Sequence, residues 1–180
     1  MTDDKALIRA AQGGNADAFE QLLERHYDTM YRFAYRWCGD RANAEDITQQ
    51  ACLKLARVLA SYRFESAFST WLYRVVINCA RDWSRSEGRH ALAAQEDDWP
   101  EEAAGPADTV EHQTFLGQLL HKLESLPEGI KETLLLVHGE GLTHAEAARA
   151  LDVKESTVSW RLHEFRKNHR LEFDQGGFRD

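Results

Sequence analysis

Residues 62–85 read YRFESAFSTWLYRVVINCARDWSR, a short aromatic segment running into an amphipathic helix. At about 100° per residue, Leu72, Val75, Val76, Cys79 and Trp83 fall on one stripe, the face such a helix buries. Trp71, Arg74, Asn78, Arg81 and Arg85 share a second stripe more than a quarter-turn away. Guanidinium groups suit phosphate, an indole suits stacking and an amide suits a base edge, so this row fits a nucleic-acid strand. The preceding Tyr62-Arg63-Phe64-Glu65-Ser66-Ala67-Phe68 adds aromatics where an unstacked base could be received. A surface helix with ordinary arginines, preceded by a loop whose aromatics complete the core, would carry the same residues. Taken alone, the stretch leaves both readings open.

Upstream, the chain is helical in pattern. Leu7, Ile8 and Ala11 mark a short first helix, broken at Gly13-Gly14-Asn15. Phe19, Leu22, Leu23, His26, Tyr27, Met30, Phe33, Ala34 and Trp37 then recur at helical spacing, with Gly39 as the expected C-cap. Asn43 is the expected N-cap of the next helix, with Glu45 and Asp46 in its first turn. Ile47, Ala51, Leu55 and Val58 form its buried stripe. Residues 1–87 thus read as one compact all-α unit.

The chain has 180 residues, is 43% hydrophobic and carries a net charge of −8. No apolar run is long enough to span a bilayer and the first residues lack a hydrophobic signal segment, so a cytoplasmic location is expected. Cys38, Cys52 and Cys79 are odd in number, lie far apart and fall in apolar helical patterns. They read as small buried residues of a reducing compartment, and neither metal nor cofactor is expected. The charge is unevenly spread. Ser86–His112 holds eight acids against the single base Arg89, a net of −7. Tyr62–Arg85 is +2 and Val153–Arg170 is +3, so two local fields favour a polyanion although the total does not. Residues 88–108 contain Gly88, Pro100, Gly105 and Pro106 with no apolar period, and read as a flexible acidic linker.

Residues 109–172 return to helices. Asp108 and Glu111 suggest a cap for a helix using Phe115, Leu119, Leu120, Leu123 and Leu126, stopped by Pro127. Ile130, Leu134, Leu135 and Val137 give another helix, ended by Gly139 or Gly141. Thr143-His144-Ala145-Glu146 is a capping box opening a short helix to Leu151. A tight turn at Asp152-Val153 leads to a basic helix from about Lys154 to Arg170. Short helix, tight turn and longer basic helix is the helix-turn-helix pattern. Val158, Leu162 and Phe165 would seat the second helix on Ala147 and Ala148. Ser156, Ser159, Trp160, His163 and Lys167 would face a major groove, with Arg161 and Arg166 at its flanks. A plain helical bundle with a charged outer face is the competing reading. Residues 173–180 are a tail.

Over nearly its whole length the chain resembles bacterial RNA polymerase sigma factors of the extracytoplasmic-function (ECF) group. Four stretches, in order, carry the resemblance: Ala10–Tyr35, Ala44–Arg57 (AEDITQQACLKLAR), Tyr62–Arg85, and Leu126–Lys167. The resemblance implies an all-α fold of two small helical domains joined by a flexible acidic linker. It also implies an initiation factor without catalytic activity or small-molecule substrate. Asp46, Gln49, Gln50 and Leu53 would contact the clamp helices of core polymerase. Phe64–Ser69, with Phe68 among them, would form a loop capturing a flipped non-template base of the −10 element. Asn78 would touch the melted strand, and Trp71, Arg74, Arg81 and Arg85 would hold it. Ser156–Lys167, with Lys154 and Thr157 at the start of the helix, would read the −35 element. The linker would lie in the polymerase RNA path. An anti-sigma partner, often membrane-tethered, is also implied.

The sequence departs from the family where Ser156-Thr157-Val158 replaces the common Gly-Thr-Val. Trp160 and Phe165 are bulky for their places, and Glu164 stands where a basic residue is usual. These departures bear on −35 preference more than on fold. Two alternatives remain beside the initiation factor: a sigma-like decoy that sequesters an anti-sigma protein without touching DNA, and a dimeric helix-turn-helix regulator. Glu164 and the acidic total suit the decoy; the intact Trp71/Arg74/Asn78 stripe argues against it. An enzyme fits least, since His26, His121, His138 and His144 show no ligand spacing.

Overall fold

The computed structural model describes the backbone of residues 3–94, 126–127 and 129–173. The chain divides into two units, residues 1–123 and 124–180. Every regular element among the described residues is helical.

The first unit contains α1 (Asp4–Gln12), α2 (Ala16–Cys38), α3 (Arg41–Val58), one 3-10 turn (Leu59–Ser61) and α4 (Phe68–Ala94). Asn15 caps α2, its side chain accepting from the Ala18 amide at 3.0 Å. Gly39 ends that helix in the left-handed conformation (φ 72°), donating its amide to the Tyr35 carbonyl. The N-cap of α3 is Asp40, not the expected Asn43. Asp40 is extended, and its carboxylate accepts from the Asn43 amide at 2.9 Å. Asp caps as well as Asn, and the turn at Gly39 delivers it in the extended backbone a cap requires. Glu45 and Asp46 consequently lie beyond the first turn.

Helix α4 packs on both α2 and α3. Leu72, Val75, Val76 and Cys79 are buried as expected, while Trp83 is half-buried. Tyr73, Ile77 and Ala80 are buried too, because a helix with two neighbours buries a broader arc than one stripe. Leu22, Met30 and Phe33 of α2 and Ile47 and Leu55 of α3 complete the core at zero exposure. Thr48 is buried among them with its hydroxyl donated to the Ala44 carbonyl at 2.6 Å, so its own polar group is satisfied. Of the cysteines, Cys79 is buried, whereas Cys38 and Cys52 are only part-buried. Helix α4 continues to Ala94, so the acidic stretch expected as linker from residue 88 begins as helix. The remainder of that linker and the expected helix carrying Phe115 to Leu123 lie outside the described residues.

The second unit contains α5 (Ile130–Leu134), which widens into a looser turn over Leu135–Gly139, then α6 (His144–Leu151) and α7 (Glu155–Phe173). The widening is visible in the Glu140 amide bonding back to Leu135. The capping box is complete: the Glu146 amide donates to Thr143 Oγ1, and the Thr143 amide donates to Glu146 Oε2 at 2.9 Å. Leu136, Ala147 and Val158 are fully buried and Leu162 nearly so. Helix α7 reaches Phe173, three residues beyond the end expected near Arg170.

Candidate nucleic-acid interface

Tyr62 is the hub of the segment before α4. Buried to 6% exposure, it meets Phe64, Phe68 and Trp71 at ring-centroid distances of 4.8, 5.4 and 5.2 Å. Its hydroxyl donates to the Ser66 carbonyl at 2.6 Å, closing the loop on itself. From α1, the Gln12 side-chain amide donates to the carbonyls of Leu59 and Tyr62, both at 2.9 Å. The loop is thus tied at its base and its middle. Phe64 is held at φ 61°, a conformation that costs a bulky residue on the order of 1–3 kcal/mol and persists only where the surroundings enforce it. Beside it opens a cavity of about 390 Å³ lined by Lys5, Ile8, Tyr62, Phe64, Ser66 and Ser69 among others. An aromatic wall with a few polar groups suits a planar heterocycle.

Phe68 requires a correction. It is not a loop residue but the first residue of α4, 7% exposed, set edge-on to His26 at 5.0 Å and stacked on Trp71 at 5.9 Å. Its ring serves as the floor beneath the cavity. Helix formation at 68 turns it inward, leaving Phe64 as the half-exposed ring of the loop.

Along α4, Trp71, Arg74, Asn78 and Arg81 are half-buried and Arg85 is exposed, on the side away from Leu72 and Val76. Asp82 lies among them, 3.6 Å from Arg85 and 3.7 Å from Lys54 of α3. These partly exposed pairs are weak, so phosphate can replace the carboxylate as partner.

On α3, Asp46, Gln49, Gln50 and Leu53 are all exposed, Leu53 at 65%. They share one face, with the exposed leucine set among a carboxylate and two amides. Tyr27 of α2, 38% exposed, was expected in the core stripe. It is instead near Cys52 and Glu45: burial, then the proximity of Cys52, Glu45 and other groups, raises its pKa above the ordinary value. It extends the α3 face.

In the second unit, Ser156, Ser159, Trp160, His163, Arg166 and Lys167 are exposed on α7, as is Lys154 just before it; Thr157 is half-buried. Trp160 stands 59% exposed. Ser159 hydrogen-bonds His144 Nδ1 at 3.0 Å, tying α7 to the first residue of α6. Arg161 is the second correction. Its guanidinium packs where a Cβ on residue 129 would stand, so a side chain there would have to push it aside, and Nη1 donates to Thr133 Oγ1 at 3.5 Å. Gly129 has φ 89°, a second reason for glycine. Arg161 therefore braces α7 against α5 rather than pointing to a phosphate. Burial, then the proximity of Arg166 and His144, lower the His138 pKa.

Sequence reasoning missed Lys5, Arg9, Gln12 and Tyr27. The Gln12 bonds span 47 and 50 residues, and no local signal marks such a partner.

Comparison with known proteins places this geometry. Residues 22–90 match the family Sigma-70 region 2, and residues 116–168 match Sigma-70 region 4. The chain is 30% identical to the ECF RNA polymerase sigma-E factor of Haemophilus influenzae over 94% of its length and 93% of that protein. The chain belongs to the ECF RNA polymerase sigma factors. It is 33% identical to the ECF sigma factor SigM of Mycobacterium tuberculosis, covering 88% of this chain and 78% of that one. It is also 33% identical to SigE of Mycolicibacterium smegmatis, over 85% of its length but only 60% of that longer protein. Among solved structures, CnrH in complex with the cytosolic domain of CnrY shares the ECF fold at TM-score 0.71 and 22% identity, over 96% and 97% of the two chains. The sigma factor RpoE of Bartonella quintana, in complex with the anti-sigma factor NepR, does so at TM-score 0.65 and 22% identity, over 89% and 98%. In this ECF factor no described helix is long and apolar enough to cross a membrane.

Proposed function

We propose that this ECF factor works in the cytoplasm, without catalysis of its own, by docking core RNA polymerase through the α3 face and opening promoters through the α4 face. Asp46, Gln49, Gln50 and Leu53, with Tyr27 beside them, are the docking set. Helix α7 enters the −35 major groove with Ser156, Trp160, His163 and Lys167 toward base edges and Lys154 and Arg166 toward phosphates. A base of the −10 element leaves the stack and enters the cavity beside Phe64, while Trp71 and Asn78 engage the neighbouring nucleotides and Arg74, Arg81 and Arg85 hold the strand. The observation that carries this reading is the open aromatic hollow beside Phe64, joined through the Tyr62–Trp71 ring contact to the start of the Trp71–Arg85 row. Unpairing costs a few kcal/mol per base. Stacking returns about 1–3 kcal/mol per base.

The docking and strand-binding surfaces are also those an inhibitor would cover. The names of two proteins of this fold include a bound partner, CnrY for one and the anti-sigma factor NepR for the other. A corresponding anti-sigma protein is part of this proposal. The assignment of Asn78 is tested by Asn78→Ala, which weakens promoter opening read by permanganate footprinting while leaving core binding near wild type. Equal loss of both would remove it.

A further inference from the structure

Helix α1 precedes the segment matched to Sigma-70 region 2, which begins at residue 22, and so far it serves only to brace and line the loop's cavity. Yet it supplies two cations to the mouth of the base cavity. Lys5 Nζ lies 6.0 Å from the Phe64 ring centroid, and the Arg9 guanidinium carbon lies 5.4 Å from it. Lys5 also lines the cavity. Both side chains are exposed, one helical turn apart, so their charges reach solvent above the ring. Of the two acids in the lining, one is already paired. Asp4 is occupied by Arg25 and His26, each at 2.9 Å. Asp3, at the start of α1, is the remaining carboxylate of the lining.

We propose that Lys5 and Arg9 are a phosphate clamp for the single strand whose base enters the Phe64 cavity. A nucleotide inserted beside Phe64 brings its own phosphates to the rim, within reach of both cations. Without DNA the two cations rest over the ring. That contact helps hold Phe64 at φ 61°. With DNA they exchange the ring for phosphate, so the cavity is kept open by the groups that later bind the strand. The ligand class is a single-stranded polynucleotide backbone. The proposal rests on the base-capture reading above.

The test uses full-length protein bound to core polymerase and a fluorescein-labelled single-stranded oligonucleotide carrying the −10 element of a promoter this factor transcribes. Binding is titrated between 50 and 200 mM salt. Each single-strand phosphate contact contributes about 0.7 to the slope of log affinity against log salt. The double variant Lys5→Gln, Arg9→Gln is expected to lose about 1.4 from that slope, making its affinity about sevenfold less salt-sensitive over the range. The charge-keeping pair Lys5→Arg, Arg9→Lys retains the wild-type slope. Weaker binding with an unchanged slope would mean the cations only brace Phe64, and would overturn the clamp while leaving base capture standing. Failure of the wild type to bind the strand would remove base capture and the clamp together.

Discussion

The Tyr62 hydroxyl donates to the Ser66 carbonyl four residues on, at 2.6 Å, and that bond folds the aromatic loop around its own first residue. Everything proposed for the −10 strand depends on this closure. It fixes which rings face solvent: Phe64 outward beside the cavity, Phe68 inward beneath it.

The two phenylalanines should therefore separate on substitution. Phe68→Ala removes a 7%-exposed ring packed on His26, Tyr62 and Trp71. It should cost about 3–5 kcal/mol of stability. Phe64→Ala should leave the melting temperature nearly unchanged and cost about 1–3 kcal/mol in open-complex formation. Thermal denaturation and permanganate reactivity of the same two variants check the pair.

Asp4 pins α1 to α2 through Arg25 and His26, each at 2.9 Å. Partial burial pushes its carboxyl up, but the hydrogen bonds from Arg25 and His26 and their charges outweigh burial, and the pKa falls below the ordinary 3.8. A carboxylate with a lowered folded-state pKa stabilises fully above its unfolded value, and that contribution is lost as pH falls through the folded value. Amide protection factors in α1, taken against the intrinsic rate at each pH, should thus fall below about pH 4 in the wild type. Asp4→Asn should show the loosened helix already at pH 7, by under about 1 kcal/mol since the pair is partly exposed.

Leu53 is 65% exposed on α3. Leu53→Asp should leave the fold intact and weaken binding to core polymerase at least about tenfold, or about 1.4 kcal/mol. Surface plasmon resonance on core polymerase measures it, and undiminished binding would move the docking surface elsewhere.

Asp152 ends α6 in the left-handed conformation at φ 57°. Asp152→Gly relieves that backbone and should stabilise the second unit by roughly 0.5–1 kcal/mol. Thr143→Ala removes a full capping box at the other end of α6 and should cost about 1 kcal/mol. Thermal melts of the two variants should shift in opposite directions.

Much of this was legible in the residues. Helices α2, α3 and α4 declare themselves because each buries an arc at helical spacing, and Gly39 and Thr143–Glu146 mark ends whose chemistry is local. Asp40 and Asn43 cap equally well by residue type, and only the backbone chooses Asp40. Arg161 left a trace: it lies three residues after buried Val158 and beside buried Leu162, on the edge of the buried face. Its charge argued for solvent, and the room that turned it inward comes from Gly129, far off in sequence. The loop's aromatics pointed to a place for an unstacked base, but the walls that α1 and α2 add beside Phe64 could not be read from local sequence.

The central claim is that this chain directs core polymerase to promoters. Its most direct test is multi-round transcription by purified bacterial core polymerase on a fragmented genomic library, with and without the protein. The account predicts new transcripts in its presence, sharing upstream −35 and −10 elements. Tight binding to core with no new transcripts would contradict it.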